Sequence, residues 1–391
     1  MTDSLSPSMR ARAIEPTMIR SLRAGMGPST IDLGLGQTDL AVGAAVRRQM
    51  REELAGEFRT PYTPNAGLDE ARAAVADHVG AAVGEVRLTC GVQEGLAVAI
   101  LGLCEEGDEV LVPNPGFPAY INLVRAAGAE PVEYPLRAPT AGAPGWDLDP
   151  DAVIDRISDS TRLLVLNNPS NPTGAVFGEA SLQKVIDACR RRSIGWVSDE
   201  IYEDYVWTKN RVSAREIDDE GGFVLSGLSK SHHMMGWRLG WMVGPAEAIA
   251  DLTPLHQHLV TCAPRPAQQA AIASLADHVA VVERTRDIFA ARRRRVLEAF
   301  DGVGFGSAPT VDGAFYLFLD VRPWLEVFES TAEIAARLLD EEDVMVVPGE
   351  GFGPAGLGHL RVAFTIGGEQ LDEGLGRLRR FLMRHRPSDG G

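Results

Sequence analysis

Short apolar runs alternate along this chain with longer stretches in which apolar residues recur at helical spacing. The short runs predict buried strands and the longer stretches predict amphipathic helices. Strands are predicted at 109–113, 162–167, 194–198, 313–320, 344–348 and 360–364. Helices are predicted at 41–58, 69–79, 179–192, 331–341 and 369–384. This alternation predicts an α/β fold, a three-layer sandwich around a mainly parallel sheet.

The pattern changes near residue 302, where a mainly helical region gives way to a second series of strands and helices. We expect residues 286–391 to form a smaller α/β C-terminal domain. Residues 41–285 are then expected to form a large domain, and residues 1–40 an N-terminal arm that joins the small one. Both domain sizes are ordinary for globular proteins.

Composition is that of a globular protein: 391 residues, 45% hydrophobic and 24% charged. The formal net charge of −16 disfavours nucleic-acid binding, so we interpret the basic run 292–295 as the solvated face of a helix. The longest apolar run, 96–104, is too short to span a bilayer, and residues 1–23 lack the apolar core of a signal peptide. Four cysteines without a Cys-x-x-Cys pair indicate reduced thiols and a cytoplasmic location. The histidine spacings match no metal-binding motif, so no metal is expected.

Lysine occurs at only three positions, and one of them has distinctive neighbours. Lys184 falls on a predicted helix and Lys209 in a polar loop, which indicates solvent-facing charges. Lys230 instead stands between two serines shortly after the apolar run 223–225. Desolvation lowers the pKa of a lysine toward that of a nucleophilic amine, which can form a Schiff base with a carbonyl such as that of pyridoxal 5'-phosphate (PLP). A structural lysine paired with a carboxylate is the alternative interpretation.

An arginine, Arg238, follows Lys230 and carries the planar fork suited to a phosphate group. The string from Ser229 to Gly240 reads Ser-Lys-x-x-x-Met-x-Gly-Trp-Arg-x-Gly. It resembles the lysine motif of the class I/II aminotransferases, which belong to the fold type I PLP enzymes of the aspartate aminotransferase superfamily.

Three further features match the same family in the same order. They are Asn-Pro-Thr-Gly at 171–174, Asp-Glu-Ile-Tyr at 199–202, and Arg361 on an otherwise apolar strand. The resemblance covers about residues 30 to 385. It is looser at 37–38, where Gln-Thr stands in place of the more usual Glu-Pro.

Several of these motifs begin just after a predicted strand: Gly91, Asn171, Asp199 and Lys230. The carboxyl ends of parallel strands meet at one edge of a sheet, and ligands bind there. The sequence therefore predicts that these side chains converge on one site.

The resemblance implies a role for each matched residue. Lys230 would hold PLP through a Schiff base and act as general base, and Asp199 would pair with the pyridine nitrogen. Asn171 and Tyr202 would contact the ring oxygen. Phe117, in preference to Tyr120, would stack on the ring.

The phosphate and the substrate have their own sets of matched residues. The phosphate is assigned to Ser229 and Arg238, and to the N-terminus of a helix whose amides come from Gly91, Val92 and Gln93. The substrate is assigned to Gly36, Asn171 and Arg361, with Arg361 as the fork for its α-carboxylate.

Tyr62 matches a tyrosine that reaches the phosphate site of a neighbouring subunit in this family. The resemblance therefore implies a homodimer with shared active sites, and no membrane or nucleic-acid partner is expected.

The function implied is transfer of an amino group from an L-amino acid to a 2-oxo acid. A PLP-dependent lyase or another α-carbon enzyme on the same scaffold is the alternative, because the fate of the carbanion depends on a few contacts. A non-catalytic PLP-binding protein is a second alternative. No second arginine for a dicarboxylate can be assigned from the sequence, which slightly favours a neutral or aromatic substrate.

Overall fold

The structure is a computed structural model, and it describes residues 6–57, 59–140, 142–208 and 210–387. The strands in this part of the chain are β1 (Ile31–Asp32), β2 (Val86–Thr89), β3 (Glu109–Asn114), β4 (Glu130–Pro135), β5 (Thr161–Asn167), β6 (Gly195–Asp199), β7 (Gly222–Gly227), β8 (Gly240–Val243), β9 (Tyr316–Asp320), β10 (Val344–Met345), β11 (Val347–Pro348) and β12 (His359–Ala363). The helices are α1 (Met9–Arg12), α2 (Met18–Arg23), α3 (Ala44–Ala55), α4 (Asp69–Val79), α5 (Val92–Leu103), α6 (Ala119–Ala127), α7 (Pro150–Ile154), α8 (Glu179–Arg191), α9 (Ala214–Ile217), α10 (Ala246–Val260), α11 (Arg265–Leu275), α12 (His278–Ala299), α13 (Thr331–Glu342) and α14 (Gly368–Arg384).

Seven strands form the central sheet, in the order β2-β8-β7-β6-β5-β3-β4. The strands from β7 to β4 run parallel, whereas β8 is antiparallel to both of its neighbours. Strand β5 shows the layers on either side: Leu164 and Leu166 pack in the core that contains α8, and Leu163 and Val165 pack in the one that contains α5. The predicted three-layer α/β sandwich is therefore confirmed.

A smaller sheet lies toward the C-terminus, with the antiparallel order β11-β12-β9. Its core joins side chains of three helices, including Phe289 of α12, Leu338 of α13 and Leu378 of α14. The N-terminal segment is tied to this region because Ile31 and Asp32 of β1 pair in parallel with β10. Helix α12 runs across the boundary predicted at residue 285.

Two pattern-based predictions are wrong in detail. The run 344–348 is two strands, because β10 pairs with β1 while β11 pairs with β12. In the basic run 292–295, Arg292 is buried, and its guanidinium donates to the Thr365 carbonyl at 2.6 Å and to the Asp39 carboxylate at 2.7 Å. The segments around 39 and 365 cover that side of α12, so only Arg294 and Arg295 are exposed.

Other expectations concern the surface. Lys184 is exposed on α8 as predicted, where it pairs with Asp151 at 2.6 Å, whereas Lys209 lies outside the described residues. The helices described are all too short or too polar to cross a membrane. Among the described residues, no three His, Cys, Asp or Glu side chains lie close enough together to hold a metal ion.

Candidate active site

A cavity of about 520 Å³ opens at the carboxyl edge of the central sheet. It is bounded by the ends of β5 and β6, the loop after β7, strands β9 and β12, and the N-terminal arm. The residues assigned from the sequence that line it are Gly36, Val92, Gln93, Phe117, Asn171, Asp199, Tyr202, Ser229, Lys230, Arg238 and Arg361. Of the four residues predicted to converge at this edge of the sheet, Asn171, Asp199 and Lys230 line the cavity and Gly91 does not.

Lys230 follows β7 and carries its amine into the cavity. Its Nζ donates to the Gly36 carbonyl at 2.8 Å, and no described carboxylate forms an ion pair with it. Burial, and then the nearby guanidinium of Arg361, lower the pKa of Lys230 to about 8, although the Asp199 carboxylate opposes this shift. A substantial fraction of the amine is therefore neutral and nucleophilic near neutral pH. The alternative of a structural lysine paired with a carboxylate does not match this geometry.

Asp199 ends β6 and is a buried residue of the cavity lining. The Tyr120 hydroxyl donates to its Oδ2 at 2.9 Å, and the Ile201 amide donates to its Oδ1 at 3.2 Å. Burial raises the pKa of Asp199 to about 6 against the lowering effect of these hydrogen bonds. The carboxylate is therefore ionised above about pH 6 and is held in place by two donors.

Tyr120, which the sequence suggested only as a possible stacking ring, instead bonds to Asp199 through its hydroxyl. Phe117 lines the cavity, and its ring meets that of Tyr120 edge to face at 5.8 Å. Tyr120 thus positions the Asp199 carboxylate, whereas Phe117 can contact a ligand in the cavity. The sequence contains no signal for the contact between Tyr120 and Asp199, because the two residues lie far apart in the chain.

Arg361 lies on β12 and is buried with its guanidinium between two aromatic rings. Its centre lies 4.4 Å from the Tyr316 ring and 4.6 Å from the Phe352 ring. Nη1 donates to Oδ1 of Asn171 at 2.8 Å and Nη2 donates to the Gly34 carbonyl at 2.6 Å. Nε is buried without a hydrogen-bond partner in the described part of the chain. A buried cation with no carboxylate partner among the described residues is well suited to an anionic ligand group.

Tyr202 and Tyr316 meet at the wall of the cavity, with their hydroxyl oxygens 2.9 Å apart. Burial raises the pKa of Tyr202 well above its ordinary value, so its hydroxyl stays protonated and available as a donor. Gly36 approaches this pair closely, because a Cβ at Gly36 would lie 2.0 Å from the Tyr316 hydroxyl. Tyr316 was not singled out from the sequence.

Arg238 lies beside the N-terminus of α5. It has a left-handed backbone (φ +56°), and its guanidinium donates to the carbonyls of Met235 at 2.8 Å and Cys90 at 3.3 Å. Gly91 makes room for it, because a Cβ there would lie 2.6 Å from Nη2 of Arg238. Gly91 itself does not line the cavity. A guanidinium next to the free amides of a helix N-terminus forms a favourable anion site.

Some candidates lie away from the cavity. The Tyr62 side chain is 85% exposed and does not contribute to the lining. His232 and His233 are buried outside it: Nδ1 of His232 contacts Ser231 at 2.9 Å, and Nδ1 of His233 contacts Thr38 at 3.0 Å. Neither histidine lines the cavity, because both side chains turn into the packed interior.

The donor set in the cavity fits PLP. A lysine amine of lowered pKa suits the aldehyde, and a buried carboxylate with fixed hydrogen bonds suits the pyridine nitrogen. Arg238 beside the start of α5 suits the phosphate, and Phe117 offers a flat apolar surface.

Comparisons with known proteins agree with this fit. The family model "Aminotransferase class I and II" matches residues 28–378. An aspartate aminotransferase of Pyrococcus horikoshii is 30% identical, and the match covers 95% of this chain and 96% of the relative. The structure of an N-succinyldiaminopimelate aminotransferase from Mycobacterium tuberculosis superposes with a TM-score of 0.90 at 28% identity, over 96% of this chain and 100% of that one. A mutant aspartate aminotransferase of Thermus thermophilus gives a TM-score of 0.88 at 29% identity, over 96% and 99% of the two chains. This chain therefore belongs to the class I and II aminotransferases, enzymes that use PLP to transfer amino groups.

Proposed function

We propose that the cavity around Lys230 is the site at which this chain moves an amino group from an L-amino acid to a 2-oxo acid. The observation that carries the proposal is the Lys230 amine, which lies in the cavity with a pKa of about 8 and a carbonyl as its hydrogen-bond partner. When bound there, PLP supplies an aldehyde for the amine and an electron sink for the substrate α-carbon.

Lys230 has two tasks in this proposal. It would hold the cofactor through its Nζ, and as a free amine the same Nζ would carry the α-proton of the substrate. A general base works best when its pKa is near the working pH, and a pKa of about 8 meets that condition. The Gly36 carbonyl, which accepts from Nζ at 2.8 Å, holds the released amine inside the cavity.

Asp199 and Tyr120 keep a negative charge at the floor of the cavity. Above about pH 6 the Asp199 carboxylate is ionised, and the Tyr120 hydroxyl fixes its orientation. A fixed carboxylate would hold a proton on the pyridine nitrogen of the cofactor and so support its role as an electron sink. Asn171 has its Oδ1 occupied by Arg361, so its Nδ2 is the group left to donate to a ring oxygen.

The substrate carboxylate is assigned to Arg361. Its guanidinium is held by Asn171 and Gly34, so little side-chain entropy is lost when an anion binds. The phosphate is assigned to Ser229, to Arg238 and to the amides near Val92 and Gln93, all of which also line the cavity.

The test is a single-turnover reaction of the PLP-loaded protein with an amino acid donor. A Lys230→Ala variant is expected to lose oxo acid formation by several orders of magnitude, because one residue supplies both the attachment and the proton transfer. Lys184→Ala, which changes an exposed lysine on α8, is the matched control and is expected to react normally. Normal turnover in Lys230→Ala would contradict the proposal.

We also infer a homodimer in which Tyr62 of one chain completes the phosphate site of the other. Tyr62 is 85% exposed although it is large and partly apolar, and Leu54, Leu259 and Val279 are also exposed. Light scattering measures the oligomeric state directly.

A mixing experiment tests whether the sites are shared. The Tyr62→Ala chain and the Lys230→Ala chain are each expected to be weakly active alone. If Tyr62 acts across the interface, a hybrid dimer of the two has one intact site, which combines Lys230 of the first chain with Tyr62 of the second. Equal mixing followed by subunit exchange is then expected to restore about one quarter of the wild-type activity, from statistical pairing in a two-fold dimer. A strictly additive activity after verified exchange would contradict the shared site.

The division into an arm (1–40), a large domain (41–285) and a small domain (286–391) is also proposed. The pairing of β1 with β10 supports the attachment of the arm to the small unit. Residues 1–5 and 388–391 of this division lie outside the described residues. A cytoplasmic location is proposed from the free thiols of all four cysteines. Limited proteolysis tests the division, and cell fractionation tests the location.

A further inference from the structure

We propose that His233 is a positioning residue, which holds the arm segment 35–39 at the wall of the cavity. Through this segment it keeps the Gly36 carbonyl beside the amine of Lys230. The inference rests on the proposed function, because it assumes that this amine carries the α-proton of the substrate. It gives a task to a histidine that lies outside the cavity.

His233 forms a bridge between two segments that are distant in the chain. Its Nδ1 lies 3.0 Å from the Thr38 hydroxyl of the arm, and its Nε2 lies 3.2 Å from the Thr285 hydroxyl of α12. The ring and both threonines are buried. Burial lowers the pKa of His233 to about 4, against the raising effect of the Asp39 carboxylate, so the ring is neutral near neutral pH. A neutral imidazole has one donor and one acceptor nitrogen, and a hydroxyl can fill either role, so both hydrogen bonds can form together.

The bridge begins close to the reactive lysine. His233 follows Lys230 by three residues, in the turn after β7. The amides on either side of it, from His232 and Met234, both donate to the Leu228 carbonyl, at 3.2 and 3.3 Å. The turn is therefore closed by its own hydrogen bonds, which fix the imidazole relative to the lysine.

The other end of the bridge is the segment that faces the lysine amine. Leu35 and Gly36 line the cavity, and the Gly36 carbonyl accepts from Nζ of Lys230 at 2.8 Å. Only Gln37 separates Gly36 from Thr38. Because peptide units are planar and stiff, a displacement of Thr38 is passed on to the Gly36 carbonyl.

The segment 35–39 is held from two sides. The Thr365 hydroxyl donates to the Leu35 carbonyl at 2.9 Å, and Arg292 donates to the Asp39 carboxylate at 2.7 Å, so both of its ends are fastened to the C-terminal part of the chain. His233 and the Lys230 amine bind it from the side of the central sheet. The hydrogen bond from Nζ is lost while Nζ holds the cofactor, whereas the bond from His233 persists.

Substitutions separate the two ends of the bridge. Asparagine carries a polar atom where Nδ1 of a histidine lies, and glutamine carries one where Nε2 lies. His233→Asn is therefore expected to retain the contact with Thr38, and His233→Gln only the contact with Thr285. Asparagine also tolerates the left-handed backbone at this position (φ +60°) better than glutamine does. Thr38→Val removes the hydroxyl of the arm and leaves the turn intact, so it controls for backbone strain in His233→Gln.

The first experiment measures transfer of the α-proton. PLP-loaded protein is mixed with an amino acid in D2O without an oxo acid, and deuterium at the α-carbon is followed as a rate per bound PLP. His233→Gln and Thr38→Val are each expected to slow this exchange about tenfold, because a buried hydrogen bond is lost and the reacting amine is less well oriented. The double variant is expected to be no slower than either single one, since both changes remove the same contact. His233→Asn is expected to exchange at close to the wild-type rate.

The second experiment follows the segment itself, without chemistry. In the cofactor-free protein, amide hydrogen exchange within 35–39 is expected to quicken in Thr38→Val and His233→Gln, and equilibrium dialysis is expected to show unchanged PLP affinity. Unchanged amide exchange, equal slowing of α-proton exchange in His233→Asn and His233→Gln, additive losses in the double variant, or a fall in PLP affinity would overturn the role of His233. Absence of α-proton exchange with every donor in the wild-type protein would instead refute the proposed function.

Discussion

The reactivity of Lys230 offers a quantitative test of the electrostatics of the cavity. Burial and the neighbouring Arg361 lower the pKa of Lys230 from 10.5 to about 8. At pH 7 about one amine in ten is then neutral, against roughly one in 3000 for an unperturbed lysine, a gain of about 300-fold in the nucleophilic form. The cofactor-free protein is therefore expected to react with an amine reagent at Lys230 along a titration curve centred near pH 8.

The assay is labelling with trinitrobenzenesulfonate over a range of pH, with each lysine peptide quantified by mass spectrometry. Lys184 on the surface of α8 reports the intrinsic behaviour of the reagent at each pH. Since the midpoint is read from the shape of the curve, limited access of the reagent to the cavity changes the amplitude and not the result.

Two substitutions are expected to shift the pKa of Lys230 in opposite directions. Arg361→Gln removes a cation that lowers the pKa of Lys230, so the midpoint is expected to rise. Asp199→Asn removes an anion that raises the same pKa, so the midpoint is expected to fall. A wild-type midpoint near 10, or shifts of the same sign in both variants, would refute this description of the cavity.

Two further substitutions test the phosphate site and the floor of the cavity. Gly91→Ala is expected to displace Arg238, because the new Cβ would lie 2.6 Å from its Nη2, and equilibrium dialysis should show PLP affinity reduced about tenfold or more. Gly107→Ala, which also has a positive φ (+97°) but open space around it, is the control for backbone strain, and an equal loss of affinity there would contradict the steric argument. Tyr120→Phe removes a hydrogen bond that lowers the pKa of Asp199, so this pKa is expected to rise further above about 6. The acid limb of the kcat/KM profile should then move to higher pH, and an unchanged limb would show that Tyr120 does not position the carboxylate.

Much of the site could be predicted from the sequence because its parts are local. Asn171, Asp199 and Lys230 each follow a strand, and a parallel sheet places such positions at one edge regardless of how far apart they are in the chain. Apolar runs located β5 and β6 to within a residue or two, since buried parallel strands contain few polar residues.

The contacts that could not be predicted connect distant parts of the chain. Tyr120 reaches Asp199 across the sheet, and Arg20 reaches the cavity because the arm packs beside β11. Arg292 has the local pattern of an exposed helical face, but a loop and the arm segment at Asp39 cover it. Helical periodicity describes one element at a time and contains no information on which distant segment will cover it.

The most direct test of the central claim is the stoichiometry of a single turnover. PLP-loaded protein is mixed with a pool of amino acids in the absence of any oxo acid, and oxo acid and ammonia are both quantified. The expected result is one oxo acid per Lys230 site and no ammonia, with the amino group retained by the protein until an oxo acid is added. Continuous release of ammonia without an acceptor would contradict it and would indicate a lyase.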